Sequence, residues 1–313
     1  MKLQQLRYIV EIQRQGLNVS EAAETLFTSQ PGISKQVRLL EEELGVAIFE
    51  RSGKRFTGVT EPGRAVLHIA ERILLEAENL KRAAADYARG GTGRLVLAAT
   101  HTQARYALPT VVRDFVARHP GVRLEMHQGS PTQIAEWVQG GDADIGIATE
   151  ALDQYAQLVT LPVRQWSHCV IAPEGHHILA EATLSLATLA RWPLITYDAA
   201  FSGRSRINRA FERLGITPNI ALTALDADVI KTYVSLGLGL GIVSSLAFDA
   251  QRDLGLTAVA AGHLFESNTT RLALRRASYL RSYDYDFIAL FAPHLDRRVV
   301  DKSMQGGGDA YQL

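Results

Sequence analysis

The chain has 313 residues, 47% of them apolar, a formal charge of zero and a single cysteine. That length supports more than one buried core, and the zero charge argues against a non-specific nucleic-acid coat, so any nucleic-acid contact must rest on local clustering. No apolar run approaches the ~20 residues of a membrane-spanning helix, and lone Cys169 excludes an internal disulfide or a multi-cysteine metal site.

The opening MKLQQLRYIV runs into an amphipathic pattern rather than a signal peptide, so a soluble cytoplasmic protein without a membrane partner is expected. Three short helical patterns follow one another. Leu3, Leu6, Ile9 and Val10 give the first an apolar face, with Gly16 as its stop. Ser20 is the expected N-cap of the second, whose Ala22, Ala23 and Leu26 are small or apolar. The third follows Phe27 with Thr28 or Ser29 as cap, and Pro31 is tolerated in its first turn, where amides have no helical partner. Ile33, Val37, Leu40 and Leu44 predict its core stripe. Its opposite face carries Gln30, Ser34 and Arg38 with Lys35 beside them, while Glu41, Glu42 and Glu43 gather at the far end. After Gly45, Ile48-Phe49 and the turn from Arg51 to Arg55 predict a wing.

Two helices joined by a tight turn, the second basic on its outer face, suit a helix-turn-helix. Gln30, Ser34, Lys35 and Arg38 would enter a major groove, glutamine reading adenine edges and the cations reading guanine or neutralising phosphate. A small packing domain with a solvated polar face is the alternative on pattern alone. The run Ser20, Ala22-Ala23, Leu26, Ser29-Gln30-Pro31, Ser34, Leu39, Glu42, Leu44-Gly45, Phe49 and Arg51 resembles the winged helix-turn-helix of LysR-type transcriptional regulators. TSQPGISKQVRLLEEELG followed by IFERSGK is similar to the CysB branch, which governs sulfur assimilation and cysteine synthesis. The resemblance implies operator DNA as partner, with Ser29, Gln30, Pro31, Ser34, Lys35, Arg38, Arg51 and Lys54 in contact. RNA polymerase is a further candidate partner.

Thr60 to Gly63 reads as a cap and first turn, opening a long helix to about Ala88. Val66, Ile73, Leu80 and Tyr87 repeat every seven residues, with Ala70, Ala77 and Ala84 between them. That seam suits a coiled-coil-like pairing with a second copy; packing on the downstream region is the alternative. The resemblance implies a dimer through paired linker helices, and a homotetramer. Gly90 to Gly93 is the expected hinge.

From Arg94 onward, the runs LVLAA, VRLEMH, DIGIA, HCVIA, PLITY and GIVSS alternate with helical stretches at Tyr106–His119, Thr132–Gly140, Arg204–Leu214 and Ala227–Leu236. A mostly parallel α/β sheet is expected, and two lobes suit the length better than one. Cys169, inside HCVIA, reads as a small buried hydrophobe, with a redox sensor as the alternative. The stretch ATHTQARY follows LVLAA and opens a helix, where unpaired amides favour a small anion; simple capping by the threonines is the equal alternative.

THTQARYALP, with HQGSPTQIAE, IATEAL, GRS at 203–205 and DADVIKTYV, looks like the CysB-type effector domain. The resemblance implies an α+β multidomain chain. A winged helix-turn-helix spans 1–60, a linker and hinge 61–91, and a two-lobed domain 92–295 similar to periplasmic solute-binding proteins. Lobe I is expected at 92–163 plus 268–295, lobe II at 164–267, and a partly disordered tail at 296–313. It also implies a small-molecule effector between the lobes, held by Thr100, Thr102, Gln103, Thr149 and Ser202, the last standing where the family has threonine. N-acetylserine or O-acetylserine, and sulfate or thiosulfate, are the implied ligands, with no cofactor.

Other patterns carry less. Gly237-x-Gly239-x-Gly241 follows a helix and precedes a strand, the reverse of a dinucleotide fingerprint, and reads as a turn. His176-His177 reads as a solvated loop, and Asp226 and Asp228 as helix caps. No GxSxG elbow, HExxH or other catalytic constellation stands out, so an enzyme is not expected. A solute-binding protein with an N-terminal oligomerisation module is opposed by the basic face of the third helix. A sister regulator of sulfonate or sulfate-ester use shares the same motifs.

Overall fold

The computed structural model describes residues 1–306 apart from Lys54, Gly90, Ala182, Ala200 and Ser202, so two expected site residues, Lys54 and Ser202, lie outside the described residues. The chain divides into two units, Met1–Tyr87 and Ala88–Leu313.

In the first unit, α1 (Leu3–Arg14), α2 (Val19–Thr25) and α3 (Gln30–Leu44) precede an antiparallel hairpin of β1 (Phe49–Ser52) and β2 (Arg55–Val59), then α4 (Glu61–Arg89). Leu6, Ile9 and Ile12 of α1 pack with Ala22, Ala23, Ile33, Val37 and Leu40, closed by Ile48, Phe49, Leu67 and Ala70. Fully burying one such Leu or Ile is worth roughly 1.5–3 kcal/mol, so this one cluster holds the three helices together.

Three expectations are corrected here. Asn18, not Ser20, caps α2: its side chain accepts from the amides of Ser20 at 3.1 Å and Glu21 at 3.3 Å. The left-handed turn at Gly16 and Leu17 brings the chain into the helix two residues early. The core stripe of α3 ends at Leu40, since Leu44 is 39% exposed. Gly45, at φ +71, turns the chain away there, and buried Glu41 takes the inward position, accepting from the amides of Ile48 and Phe49 at 2.8 and 3.2 Å. Finally, the first half of the α4 seam does have a partner within its own unit. Leu67 and Ala70 are core, with Val66, Ile73 and Leu74 packed beside them. Only the distal part is bare, Leu80 being 73% and Tyr87 88% exposed. Close docking of the helix start explains this: a Cβ on Gly63 would stand 2.0 Å from the Ile48 carbonyl oxygen. Thr60 caps that start, its hydroxyl accepting from the Gly63 amide at 2.8 Å.

The second unit runs β3 (Gly93–Ala99), α5 (Pro109–Arg118), β4 (Val122–Gln128), α6 (Pro131–Gly140), β5 (Ile145–Ala148), β6 (Leu158–Trp166) and β7 (His168–Pro173). It continues with α7 (Leu186–Leu189), β8 (Leu194–Tyr197), α8 (Arg204–Arg213), β9 (Ile220–Ala224), α9 (Ala227–Ser235), β10 (Leu240–Ser244), β11 (Leu256–Ala260), β12 (Asn268–Arg275), α10 (Ser282–Phe291) and α11 (Arg297–Met304). Two five-stranded sheets result, in the orders β4-β3-β5-β12-β6 and β11-β7-β10-β8-β9. Each is a lobe, and the chain passes between them twice: from β6 to β7 across Ser167, and back from β11 to β12.

Strand alternation builds three layers in each lobe. Leu95, Leu97 and Ala99 of β3 face Phe115, Phe287, Phe291 and Val300, while Val96 and Ala98 face Ile134, Ala135 and Val138 of α6. In the other lobe, Val170 and Ala172 face Ile207 and Phe211, while Cys169 and Ile171 face Ile230 and Val234. Cys169 is thus a packed small hydrophobe, and burial pushes its thiol up to about 12.

The sheets are not mostly parallel. β3 pairs in parallel with β4 and β5, and β8 with β9 and β10, but the pairings of β12 and β7 are antiparallel. Strands that carry the chain across enter the second sheet against the direction of the rest. Nor are residues 296–304 a tail: Asp296 accepts from the Val299 amide at 2.9 Å, starting α11, whose Val300 is fully buried. Gly237 and Gly239 shape the turn into β10, as expected, while Gly241 already lies within that strand.

Candidate DNA-reading surface and interlobe site

Helical spacing puts Gln30, Ser34, Lys35 and Arg38 on the face of α3 opposite Ile33, Val37 and Leu40. All are exposed except Ser34, which is half-buried. Ser29 is the cap, accepting from the Gly32 amide at 3.3 Å, and Pro31 lies in the exposed first turn. Arg38 contacts Glu42 one turn on, at 2.9 Å; both side chains are well exposed, so the pair is weak and Arg38 can exchange it for another anion.

Arg51 differs from the free wing cation expected of it. Its guanidinium is paired with buried Glu41 and lies over the Phe56 ring, 5.2 Å from the centroid. The carboxylate that closes the end of α3 therefore also anchors the hairpin. Arg51 is a structural residue first, and its charge is matched within the fold.

In the second unit, the C-terminal ends of β3 and β5 deliver the expected anion ligands to the seam between the sheets. Thr100, Thr102 and Gln103 are buried, and Thr149 is half-buried. The segment after β3 is not the plain helix expected. Residues Gln103–Ala107 form a π-helical turn, closed by the Leu108 amide donating to the Gln103 carbonyl at 3.0 Å. The Thr100 amide donates to the Ile147 carbonyl at 3.2 Å, so it is not one of the free helix-start amides foreseen. The Ala104 amide donates to the Thr100 carbonyl at 3.0 Å, the first bond of the turn. Gln103 Nε2 donates to Thr270 Oγ1 at 2.9 Å, and Thr102 hydrogen-bonds Tyr197 of the other sheet.

Opposite these residues, Gly203 opens α8 with φ +74 and donates its amide to Glu150 Oε1. A Cβ there would come within 2.3 Å of Asn268 Oδ1, so only glycine allows the approach. Burial pushes the Glu150 carboxyl up to about 7, against the opposing pull of the Gly203 amide and Arg206. Asn268 is fully buried; among the described residues neither of its amide atoms has a protein partner, and the same holds for Gln103 Oε1, Glu150 Oε2 and Trp166 Nε1. Buried polar groups are normally paired, which makes this cluster the candidate site of the second unit.

A second junction was read from the sequence only as caps. Asp226 is one, accepting from the Val229 amide at 2.9 Å. Asp228 instead joins the lobes: Tyr106 Oη donates to it at 2.7 Å, Arg105 Nε lies at 2.5 Å and Lys231 Nζ at 3.3 Å. Lys231 is buried and also held by Asp253 at 2.8 Å. Burial alone would raise the Asp228 carboxyl, but the Tyr106 hydrogen bond and the Lys231 and Arg105 charges hold it below the usual range. Sequence spacing could not foretell this, since the partners lie 122 residues apart. His176 is no ligand but a cap, its ring accepting from the Ile178 amide at 3.1 Å and packing on Trp192.

An exposed, basic helix-turn-helix face followed by a two-lobed domain with an unsatisfied polar seam defines a class. Residues 3–64 match the bacterial regulatory helix-turn-helix protein, lysR family, and residues 88–296 match the LysR substrate binding domain. The chain belongs to the LysR family of transcriptional regulators, which bind DNA, form oligomers, carry a domain for small-molecule effectors and are not enzymes.

Within that family it falls in the CysB-like, sulfur-assimilation branch. It is 53% identical over 296 residues to the HTH-type transcriptional regulator SsuR of Burkholderia cenocepacia, covering 95% of this chain and 96% of that one. To the regulator CysB of the same organism it is 51% identical over 313 residues, covering both chains completely. Its fold is similar to the crystal structure of the cofactor-binding domain of the Cbl transcriptional regulator, with a TM-score of 0.67 and 43% identity over 69% of this chain and 94% of that one. Among the described residues no helix is long and apolar enough to cross a membrane.

Proposed function

We propose that the chain controls cytoplasmic transcription of sulfur-assimilation and cysteine-synthesis genes, with α3 as the recognition helix and the interlobe seam as the effector site. Domain limits of 1–60 for DNA binding, 61–91 for the linker and 92–295 for effector binding fit this division. The observation that carries the reading is the pairing, in one chain, of an exposed Gln30, Ser34, Lys35 and Arg38 face with buried Thr100, Thr102 and Gln103. Ser29 and Pro31 set the start of α3, and Lys35 and Arg38 meet guanine or phosphate. Arg51, through whatever charge its Glu41 pair leaves, and Lys54 are the proposed wing contacts to the DNA backbone. Thr149 and Ser202 complete the hydroxyl set around the effector's anionic group.

N-acetylserine or O-acetylserine is the proposed inducer, and sulfate or thiosulfate a competing anion: neutral hydroxyls and amides bind oxyanions without the strong hydration of a lysine. Effector binding favours one closure of the lobes, which shifts the population of the Asp228 junction and so the spacing of paired DNA-binding units. The bare distal seam of α4, with Leu80 and Tyr87, supports pairing with a second copy, and a tetramer with RNA polymerase as its further partner is the working assembly. Near-equal likeness to SsuR and to CysB supports a second reading, a sister regulator of sulfonate or sulfate-ester use. Calorimetric titration of the full chain with acetylserines, sulfate and thiosulfate tests the effector assignment; heats at the level of dilution for all four would refute it.

A further inference from the structure

The seam holds more unmet polar groups than an anion can answer. Its buried atoms without a protein partner among the described residues include three oxygens, Gln103 Oε1, Glu150 Oε2 and Asn268 Oδ1, and two N–H groups, Asn268 Nδ2 and Trp166 Nε1, besides the His101 ring Nδ1. They belong to one neighbourhood. Asn268 stands opposite Trp166 in the β12–β6 pairing, two residues from Thr270, which holds Gln103. Gly203 touches the Asn268 amide on one side and donates to Glu150 on the other.

An ionised oxyanion brings acceptors only. It can take up the two N–H groups, but it leaves the three oxygens facing its own lone pairs, and one of those oxygens belongs to a carboxyl that follows Thr149 directly in the chain. A molecule carrying an amide N–H or a hydroxyl beside its anionic end can satisfy both sets. We propose that Asn268 and Glu150 form an acceptor-rich subsite beside the anion-binding threonines, reading an N–H or O–H group of the effector and so separating an organic effector from a bare oxyanion. This rests on the reading that the seam binds the effector. Gly203 is part of the device, because any side chain there would displace the Asn268 amide. The raised Glu150 carboxyl, near 7, agrees: above that pH it is an ionised acceptor, attractive to a donor and repellent to an oxyanion.

The test is calorimetry at pH 8 on the full chain, with sulfate and N-acetylserine as probes, for wild type, Asn268→Ala and Glu150→Gln. Expected is a fall in the N-acetylserine-to-sulfate affinity ratio on the order of tenfold for each variant, because a site built to pair a donor discriminates by that pairing. Glu150→Gln keeps an oxygen for the Gly203 amide and so gives the answer even if Asn268→Ala fails to fold. Wild-type binding with a ratio unchanged in the folded variants would overturn the subsite alone. Wild type that binds neither probe would overturn the subsite, and the effector reading with it if O-acetylserine and thiosulfate also give only heats of dilution.

Discussion

The outer face of α3 and the seam between the two sheets are both lined by polar side chains, yet they sit at opposite extremes of solvation. Gln30, Lys35 and Arg38 stand in water, and their one resolved ion pair, Arg38 with Glu42, is exposed on both sides. Asn268, Gln103 and Thr100 are sealed from water, several of their atoms without a partner among the described residues. The first arrangement adds almost nothing to stability and leaves the groups free for a partner. The second is costly as long as those atoms stay unpaired, and the proposed effector would offset that cost by pairing them. On the proposed function, one chain thus separates a surface that reads charge and shape from a site that reads hydrogen-bond complementarity.

Substitutions at the two ends of that range should differ accordingly. The largest stability loss in the first unit is expected for Glu41→Ala, which strands the amides of Ile48 and Phe49 and leaves Arg51 unpaired. A loss of about 2–4 kcal/mol, with DNA binding abolished as the hairpin frees itself, should appear in urea melts and gel shifts. A melt unchanged by this substitution would mean that water replaces the carboxylate at no cost.

Arg38→Ala sharpens the contrast. Stability should stay within about 0.5 kcal/mol of wild type, while operator affinity falls by about 1–3 kcal/mol. Unchanged affinity in a gel shift would remove Arg38 from the groove.

Glu150→Gln tests the buried end through pH. The folded carboxyl sits near 7 against an ordinary value of 4.5, so the folded state binds more protons than the unfolded between those values. Stability therefore declines as pH rises from 4.5 to 7, and the neutral amide escapes that decline. The variant should be more stable than wild type at pH 8 by about 1–3 kcal/mol, and the gain should vanish near pH 4.5. A gain independent of pH would show that the carboxyl titrates normally. The smallest effect belongs to Glu42→Ala, a few tenths of a kcal/mol, as expected for an exposed pair one helical turn apart.

What the sequence made legible follows the same division. The period of Ile33, Val37 and Leu40 exposed the reading face of α3 directly, because the core side of an amphipathic helix fixes its other side. It could not tell that Glu41, three residues before the last helical residue, turns inward, since that depends on where the hairpin returns. The strands LVLAA, DIGIA and HCVIA stood out as apolar runs. β6 did not, because Pro162 interrupts it, and the structure accommodates that proline at a register shift between Arg164 and Pro162 opposite Thr270 and Arg271. At the seam, Thr100, Thr102 and Gln103 were visible as one motif after one strand. Asn268, Trp166 and Gly203 come from three distant segments, and nothing local marks a fully buried asparagine as unpaired.

The central claim is that one chain reads DNA at α3 and senses a small molecule at the seam, with the second controlling the first. It is tested most directly by fluorescence anisotropy of an operator duplex, selected from a random library, titrated with wild type and Thr102→Ala, with and without N-acetylserine. The account predicts that both proteins bind the duplex alike without effector, and that N-acetylserine shifts the wild-type affinity while Thr102→Ala responds at least tenfold more weakly in effector concentration. Equal effector responses in the two proteins, or a loss of effector-free DNA binding in Thr102→Ala, would contradict it.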